Sequence, residues 1–240
     1  MNAMWTFPKS AITQSEGARV LANILDKNKK AMDLILIRSG VICLTTAIIN
    51  HPNHMYVHEC TLEVLARLVA GACHNVTVTS HAREITLVMF KSMMTHPSSC
   101  LIQSLACWII SWLASLEHVH TMLLEKGAID AVFSAMRAHH LDAAVQANGC
   151  WALSVLAQHT EARQMIVDHG GVHIILRAMR NHQEIMVVQK YAVRALEYLV
   201  LEPTALMVVA AQNGIEDLEM MAVRHPILAV TIGGLLLACT

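Results

Sequence analysis

Val145–Gly171, VQANGCWALSVLAQHTEARQMIVDHGG, is the stretch whose reading decides the fold. It opens on a Val-Gln pair and runs through an apolar helix carried by Ala147, Cys150, Leu153, Leu156 and Ala157. A short second helix follows, and the stretch ends on a glycine pair. The same wording returns along the chain. The Val-Gln pair has counterparts in Val57-His58, Ile102-Gln103 and Val188-Gln189, so the four copies stand at steps of 45, 43 and 43 residues. Eleven positions after the first member of each pair comes a large apolar residue: Leu68, Leu113, Leu156 and Leu199. Three residues before each of these stand Leu65, Ile110, Leu153 and Leu196. A turn written Gly40, Gly127-Ala128, Gly170-Gly171 and Gly214 keeps the same beat. A fixed period in this range marks stacked units, none of which can bury its apolar face alone.

The series resembles armadillo repeats, in which a short helix, a Gly turn and a second helix lead through a polar loop to a long third helix. Trp151-Ala152-Leu153-Ser154 is close to that family's third-helix wording. The resemblance covers roughly residues 15–240. It implies an all-α fold, a right-handed α-solenoid of about four complete three-helix repeats with partial repeats at both ends. Two-helix solenoids of the HEAT type, which lack the regular Gly, are the alternative. On this alignment residues 15–240 form one domain. A lone third helix over 15–26 precedes complete repeats over 28–69, 71–115, 117–158 and 160–201, and a truncated one spans 204–240.

Residues 1–14 show no period, and Trp5 and Phe7 are expected to cover the first edge as a partial cap. In the repeat over 71–115, Asn75–Ser80 is β-branched and polar, which predicts a shortened or irregular first helix, with Glu84 at the Gly position. The last helix ends Leu235-Leu236-Leu237-Ala238-Cys239, about one turn short of its counterpart. That apolar end suggests a fragment of a longer protein, or a surface covered by self-association or intramolecular docking.

Hydrophobic residues make up 55% of the 240 and charged residues only 15%, which suits helices that are nearly buried. With 15 Met and few aromatics, Leu, Ala, Val and Met must do the packing. The formal net charge of −1 offers no basic stripe for phosphates, so nucleic acid is not an expected partner. Seven Cys show no pairing pattern and no secretory leader precedes them. Cys43, Cys60, Cys73, Cys107 and Cys150 read as small core residues of an intracellular, cytoplasmic protein. The apolar run 227–239 is shorter than the roughly 18–20 residues of a spanning helix. It reads as core, and no membrane association is expected.

Fifteen His invite a metal hypothesis that the repeat largely dissolves. His51, His96, His139, His182 and His225 are one loop position copied five times, at steps of 45, 43, 43 and 43. Copies roughly 8–10 Å apart are too distant to share an ion, and a residue that bonds helix-end backbone is the simpler reading. His54 and His58 stand four apart, near Cys60, but a fourth ligand is missing. There is no Gly-rich phosphate loop, no GxSxG and no HExxH. No metal, cofactor or catalytic residue is assigned. A metal protein or enzyme that uses the His and Cys content stands as the alternative of another class.

The resemblance also places the third helices along a concave groove. In the family's nuclear-import adaptors a Trp, and an Asn four residues later, form a ladder that holds a basic peptide. The Trp position here reads Arg19, Glu63, Trp108, Trp151 and Arg194, and the Asn position reads Asn23, Arg67, Trp112, Val155 and Tyr198. That ladder is absent. What remains is an aromatic cluster of Trp108, Trp112, Trp151 and Tyr198 flanked by Arg194 and Arg67, with Glu63, Arg19 and Asn23 in the same register. Aromatic and Arg side chains are the usual make-up of binding hot spots, while Trp112, between Ile109 and Leu113, could equally pack inward. The expected function is a protein–protein interaction scaffold holding a peptide or helix of a partner in the groove. The alternative within the binding class is an architectural segment of a larger kinase-like, ciliary or cytoskeletal protein.

Overall fold

Apolar residues recur at helical spacing through nearly the whole chain, and in the computed structural model every described element is a helix. The structure describes residues 1–25, 28–72 and 75–239, with residues 238 and 239 described by backbone alone; Cys73 and Asp26 therefore lie outside it. The chain divides into two compact units, Met1–Glu125 and Lys126–Thr240.

The first unit holds α1 (Asn2–Thr6), α2 (Ala11–Leu25), α3 (Lys29–Ile37), α4 (Gly40–Asn50), α5 (Met55–Ala72), α6 (Val76–Ser80), α7 (Ala82–Thr95), α8 (Cys100–Leu113) and α9 (Glu117–Glu125). The third helices α2, α5 and α8 pack one against the next. Leu62, Leu65, Leu68, Ile102, Ile109 and Ile110 of α5 and α8 are buried, as is Ile85 of α7. The chain enters one helix earlier than the sequence suggests. Asn2–Thr6 is helical, and Phe7 ends it at φ −122°, ψ 60°, close to the φ −125°, ψ 56° of His51 after α4. Trp5 and Phe7, expected to cap the first edge, are exposed, and Met4 is the buried side chain. Met4 lies over Gly17, where a Cβ would stand 2.6 Å from its Cγ.

The short first helix expected over Asn75–Ser80 is α6, opened by Asn75, whose side chain accepts from the Thr77 N–H at 2.8 Å. Glu84 does not mark a turn. It sits in the first turn of α7, where a carboxylate suits the helix dipole. His81 both closes α6 and opens α7 at φ −107°, so no left-handed residue is required there. α7 runs 14 residues against 11 for α4 and takes up the difference at its start.

The second unit holds α10 (Ala128–Ala138), α11 (Ala143–Leu156), α12 (Thr160–Asp168), α13 (Gly171–Asn181), α14 (Met186–Leu199), α15 (Pro203–Ala211), α16 (Gly214–Arg224), a 3₁₀ turn Pro226–Leu228 and α17 (Ala229–Cys239). α11 and α14 pack along each other, and α17 lies on α14, α15 and α16. The glycine pair does two jobs. Gly170 adopts φ +82°, open to glycine at little cost, while a Cβ on Gly171 would meet Ile166 Cγ2 at 2.4 Å and its carbonyl oxygen at 2.7 Å. The last apolar run is core on one face only. Ile232 and Leu235 are buried, whereas Ile227, Val230 and Leu237 are exposed, Val230 at 90%.

The Gln of the recurring pair has a structural task. Gln146 Nε2 donates to the carbonyls of Met136 (2.9 Å) and His139 (3.0 Å), ten and seven residues back. Gln14 does the same to Met4 and Phe7, Gln103 to Met93 and His96, and Gln189 to Met179 and His182. All four amides are buried. The last carbonyls of a helix have no intrahelical donor, so one amide satisfies two acceptors and sets the angle between second and third helix. In α5 His58 takes this place, its Nε2 donating to the His51 carbonyl at 3.1 Å.

The five loop His are the residues that end α4, α7, α10, α13 and α16. Three of these rings bond beyond their own helix end. His51 Nε2 donates to Pro8 O (2.9 Å), His182 Nε2 to His140 O (3.0 Å) and His225 Nε2 to Gln183 O (2.7 Å), each on the preceding repeat.

Among the described residues no single helix is long and apolar enough to cross a membrane. The two pairs that reach the length together, Lys29–Ile37 with Gly40–Asn50 and Gly214–Arg224 with Pro226–Leu237, bend by 70° and 118°. Cys43, Cys60, Cys107 and Cys150 are buried thiols, and burial pushes that of Cys107 up to about 12.

The clamp makes a direct expectation. Gln189→Ala strands two buried carbonyls and is expected to cost about 2 kcal/mol, read as a lower urea midpoint. A loss below ~0.5 kcal/mol, the range of an indifferent surface change, would show that the amide does not hold the helix pair together.

Candidate functional site

Residues three and four apart on a helix share a face, so the ladder positions of each third helix emerge on one side. In the first unit Arg19 and Asn23 of α2 are exposed, and Arg19 is paired with Glu16 one turn earlier. On α5, Arg67 Nη2 meets Glu63 Oε1 at 2.7 Å, both half-buried. On α8, Trp108 is 38% exposed and Trp112 half-buried. Glu63, Arg67 and Trp108 line one cleft of about 460 Å³, together with Leu25, Met32 and Leu105. Ala66 and Ala70 also line it, small side chains that leave the space open. Arg19, Asn23 and Trp112 do not line the cleft.

The second unit presents a different surface. Trp151, half-buried on α11, stacks on Tyr191 of α14 with ring centroids 5.2 Å apart and planes 11° from parallel. Lys190 Nζ stands 5.6 Å from the Tyr191 ring centroid. Arg194 is exposed, Tyr198 half-buried and Val155 buried. Sequence reasoning missed Tyr191. The signal was its place three residues before Arg194, in the register of Glu16, Cys60, Leu105 and Asn148. Glu197, one turn beyond Arg194, is raised by burial, with Arg194 opposing the shift.

Elsewhere the first unit holds a buried imidazole pair. His58 is fully buried, its Nδ1 2.9 Å from Ser92 Oγ, and its ring meets that of His96 edge-on at 4.6 Å. Burial lowers both, His58 to about 4. His54 lies ahead of α5 and is exposed, its Nδ1 3.4 Å from the Val57 N–H, so His54 and His58 do not form a pair on one helix face. Among the described residues no three His, Cys, Asp or Glu side chains gather as metal ligands.

No family model matches the chain. No curated protein matches it either. Among solved structures, its fold is similar to the crystal structure of an engineered protein from the Northeast Structural Genomics Consortium. The TM-score is 0.79 at 21% identity, over 96% of this chain and 91% of that one. A second engineered protein from the same consortium gives 0.75 at 22% identity, over 96% of this chain and 54% of that one. Likeness at this identity establishes the fold alone. The class is all-helical and repeat-like.

The imidazole pair makes stability depend on pH. An unfolded His titrates near 6.5, whereas folded His58 titrates near 4. Below pH 6.5 the unfolded chain binds a proton that the folded one refuses. Stability is therefore lost as pH falls from 6.5 toward 4, by up to about 1.4 kcal/mol per pH unit from this group. His58→Gln, which restores the residue of the other repeats, is expected to flatten that slope in thermal melts at pH 7, 5.5 and 4.5. Parallel slopes for the two proteins would assign the acid loss to other groups.

Proposed function

We propose that the chain is an armadillo-type, non-catalytic interaction module of the cell interior, whose third-helix faces hold an extended peptide or a helix of a protein partner. One observation carries this reading. Side chains from three separate repeats, among them Glu63, Arg67 and Trp108, converge on a single open cleft in the first unit. The volume, about 460 Å³, lies in the range of specific pockets, and apolar walls with a few polar groups are their usual lining. α5, which presents Glu63 and Arg67, is packed against both α2 and α8, so little ordering entropy is lost there on binding. The Glu63–Arg67 pair offers an acceptor and donors side by side, which matches the N–H and C=O of a peptide main chain.

The experiment is a binding measurement on peptides recovered from a random display library, comparing the intact chain with Trp108→Ala. Trp108 is partly exposed, so helicity and melting are expected to hold, while affinity falls about thirtyfold, the usual cost of truncating an aromatic anchor. Unchanged affinity in a folded variant would remove the first unit's cleft as the site.

A second reading draws on the exposed Ile227, Val230 and Leu237, a face suited to docking against a neighbouring protein surface. Loss of a partner on Val230→Glu, with Trp108→Ala indifferent, would favour it.

A further inference from the structure

The repeats provide an internal control. Arg19 and Arg194 occupy the same register on α2 and α14. Three residues before Arg19 stands Glu16, and the two form an ion pair. Three residues before Arg194 stands Tyr191, whose ring is committed to Trp151. The carboxylate that neutralises the first Arg is thus replaced by an aromatic ring beside the second. Arg67, the other Arg on a third-helix face, is also neutralised, by Glu63. Away from that face, the second unit pairs Arg163 with Glu202, Arg180 with Asp217 and Arg224 with Glu184. Arg194 forms no ion pair among the described residues.

The surroundings add to this imbalance. α11 carries no charged residue over 143–156, and α17 carries none over its described side chains. α14 carries two cations, Lys190 and Arg194, against one carboxylate, Glu197. The third-helix face of the second unit is therefore an aromatic platform, Trp151 on Tyr191, bordered by two cations. An ion pair made there by an incoming anion would be partly shielded from water by the rings.

Building on the interaction reading above, we propose that this face selects acidic peptides, with a partner Asp or Glu side chain on Arg194 and Lys190 and an adjacent apolar or aromatic side chain against Trp151 and Tyr191. Charge complementarity decides the occupant. A basic peptide would meet Lys190 and Arg194 with only Glu197 to offset them. A nucleic acid would need many more cations than two, in a chain of net charge −1.

The test is selection of peptides from a random dodecapeptide display library on the intact chain, followed by affinity measurements on recovered sequences and their Asn/Gln counterparts. The expected result is enrichment of Asp and Glu next to an apolar residue. Arg194→Gln should weaken the acidic peptides about two- to fivefold, the scale of a partly exposed ion pair, and Arg194→Glu more. Glu197→Gln should tighten them, a gain that misfolding cannot produce. Arg19→Gln, whose Arg is already paired, should change nothing. Raising salt from 0.05 to 0.5 M should erase most of the preference. Peptides without acidic enrichment, or affinities indifferent to Arg194→Gln yet lowered by Trp108→Ala, would overturn this inference and leave the interaction reading standing. Recovery of no peptide at all would overturn both, and preferential capture of a single-stranded oligonucleotide would replace the acidic peptide.

Discussion

A helix that ends inside a protein leaves carbonyl groups with no donor, and burial makes that costly. In this chain a buried side-chain amide, returning on four of the third helices, closes the end of the second. Gln14, Gln103, Gln146 and Gln189 each bridge two such carbonyls. The rest of the repeat follows from that junction. It fixes the third helix against the second, which in turn decides which third-helix residues are buried as Val57, Ile102, Val145 and Val188 and which emerge on the opposite side. Within each unit, a His at the end of a second helix extends the arrangement to the preceding loop, where His51, His182 and His225 each reach a carbonyl. α5 departs from the pattern by placing an imidazole where the others have an amide. The hydrogen bond to His51 survives, but the group is now titratable.

Because the frame is held by the clamp and the apolar face, the outer face is free to vary, and the two units use that freedom differently. The first cancels its charges within single helices, Arg19 with Glu16 and Arg67 with Glu63, beside a cleft opened by Ala66 and Ala70. The second spends its aromatic residues on a stacked pair and leaves Arg194 without a carboxylate at the same register. The same backbone positions thus support unlike chemistry. This is why the fold, shared with engineered proteins at 21% and 22% identity, does not carry a function with it.

Sequence pattern and structure part company where the period is weak. α1 has only five residues, fewer than two helical turns, so no apolar repeat could announce it, and Phe7 stands where the other copies have His. Trp5 and Phe7 looked like a cap on hydrophobicity alone, but the face turned toward α2 is that of Met4. Glu84 stands at the Gly position of the period, but α7 is three residues longer than α4. α7 begins earlier, and the junction at His81 needs no left-handed residue. In the last apolar run, hydrophobicity alone does not separate the covered Ile232 and Leu235 from the exposed Ile227, Val230 and Leu237.

The sequence by itself determined the period, the helical class, the places of the turns and the recurrence of Gln and His at fixed places, since each is written in local spacing. It also determined that residues three and four apart, such as Glu63 and Arg67, would share a face. Which side chains meet across repeats was decided only by tertiary structure. Tyr191 under Trp151, the cleft that unites Glu63 and Trp108, and His58 edge-on to His96 all join residues some forty positions apart. Helical periodicity fixes direction around one axis, whereas the distance and rotation between neighbouring helices come from how their buried faces pack.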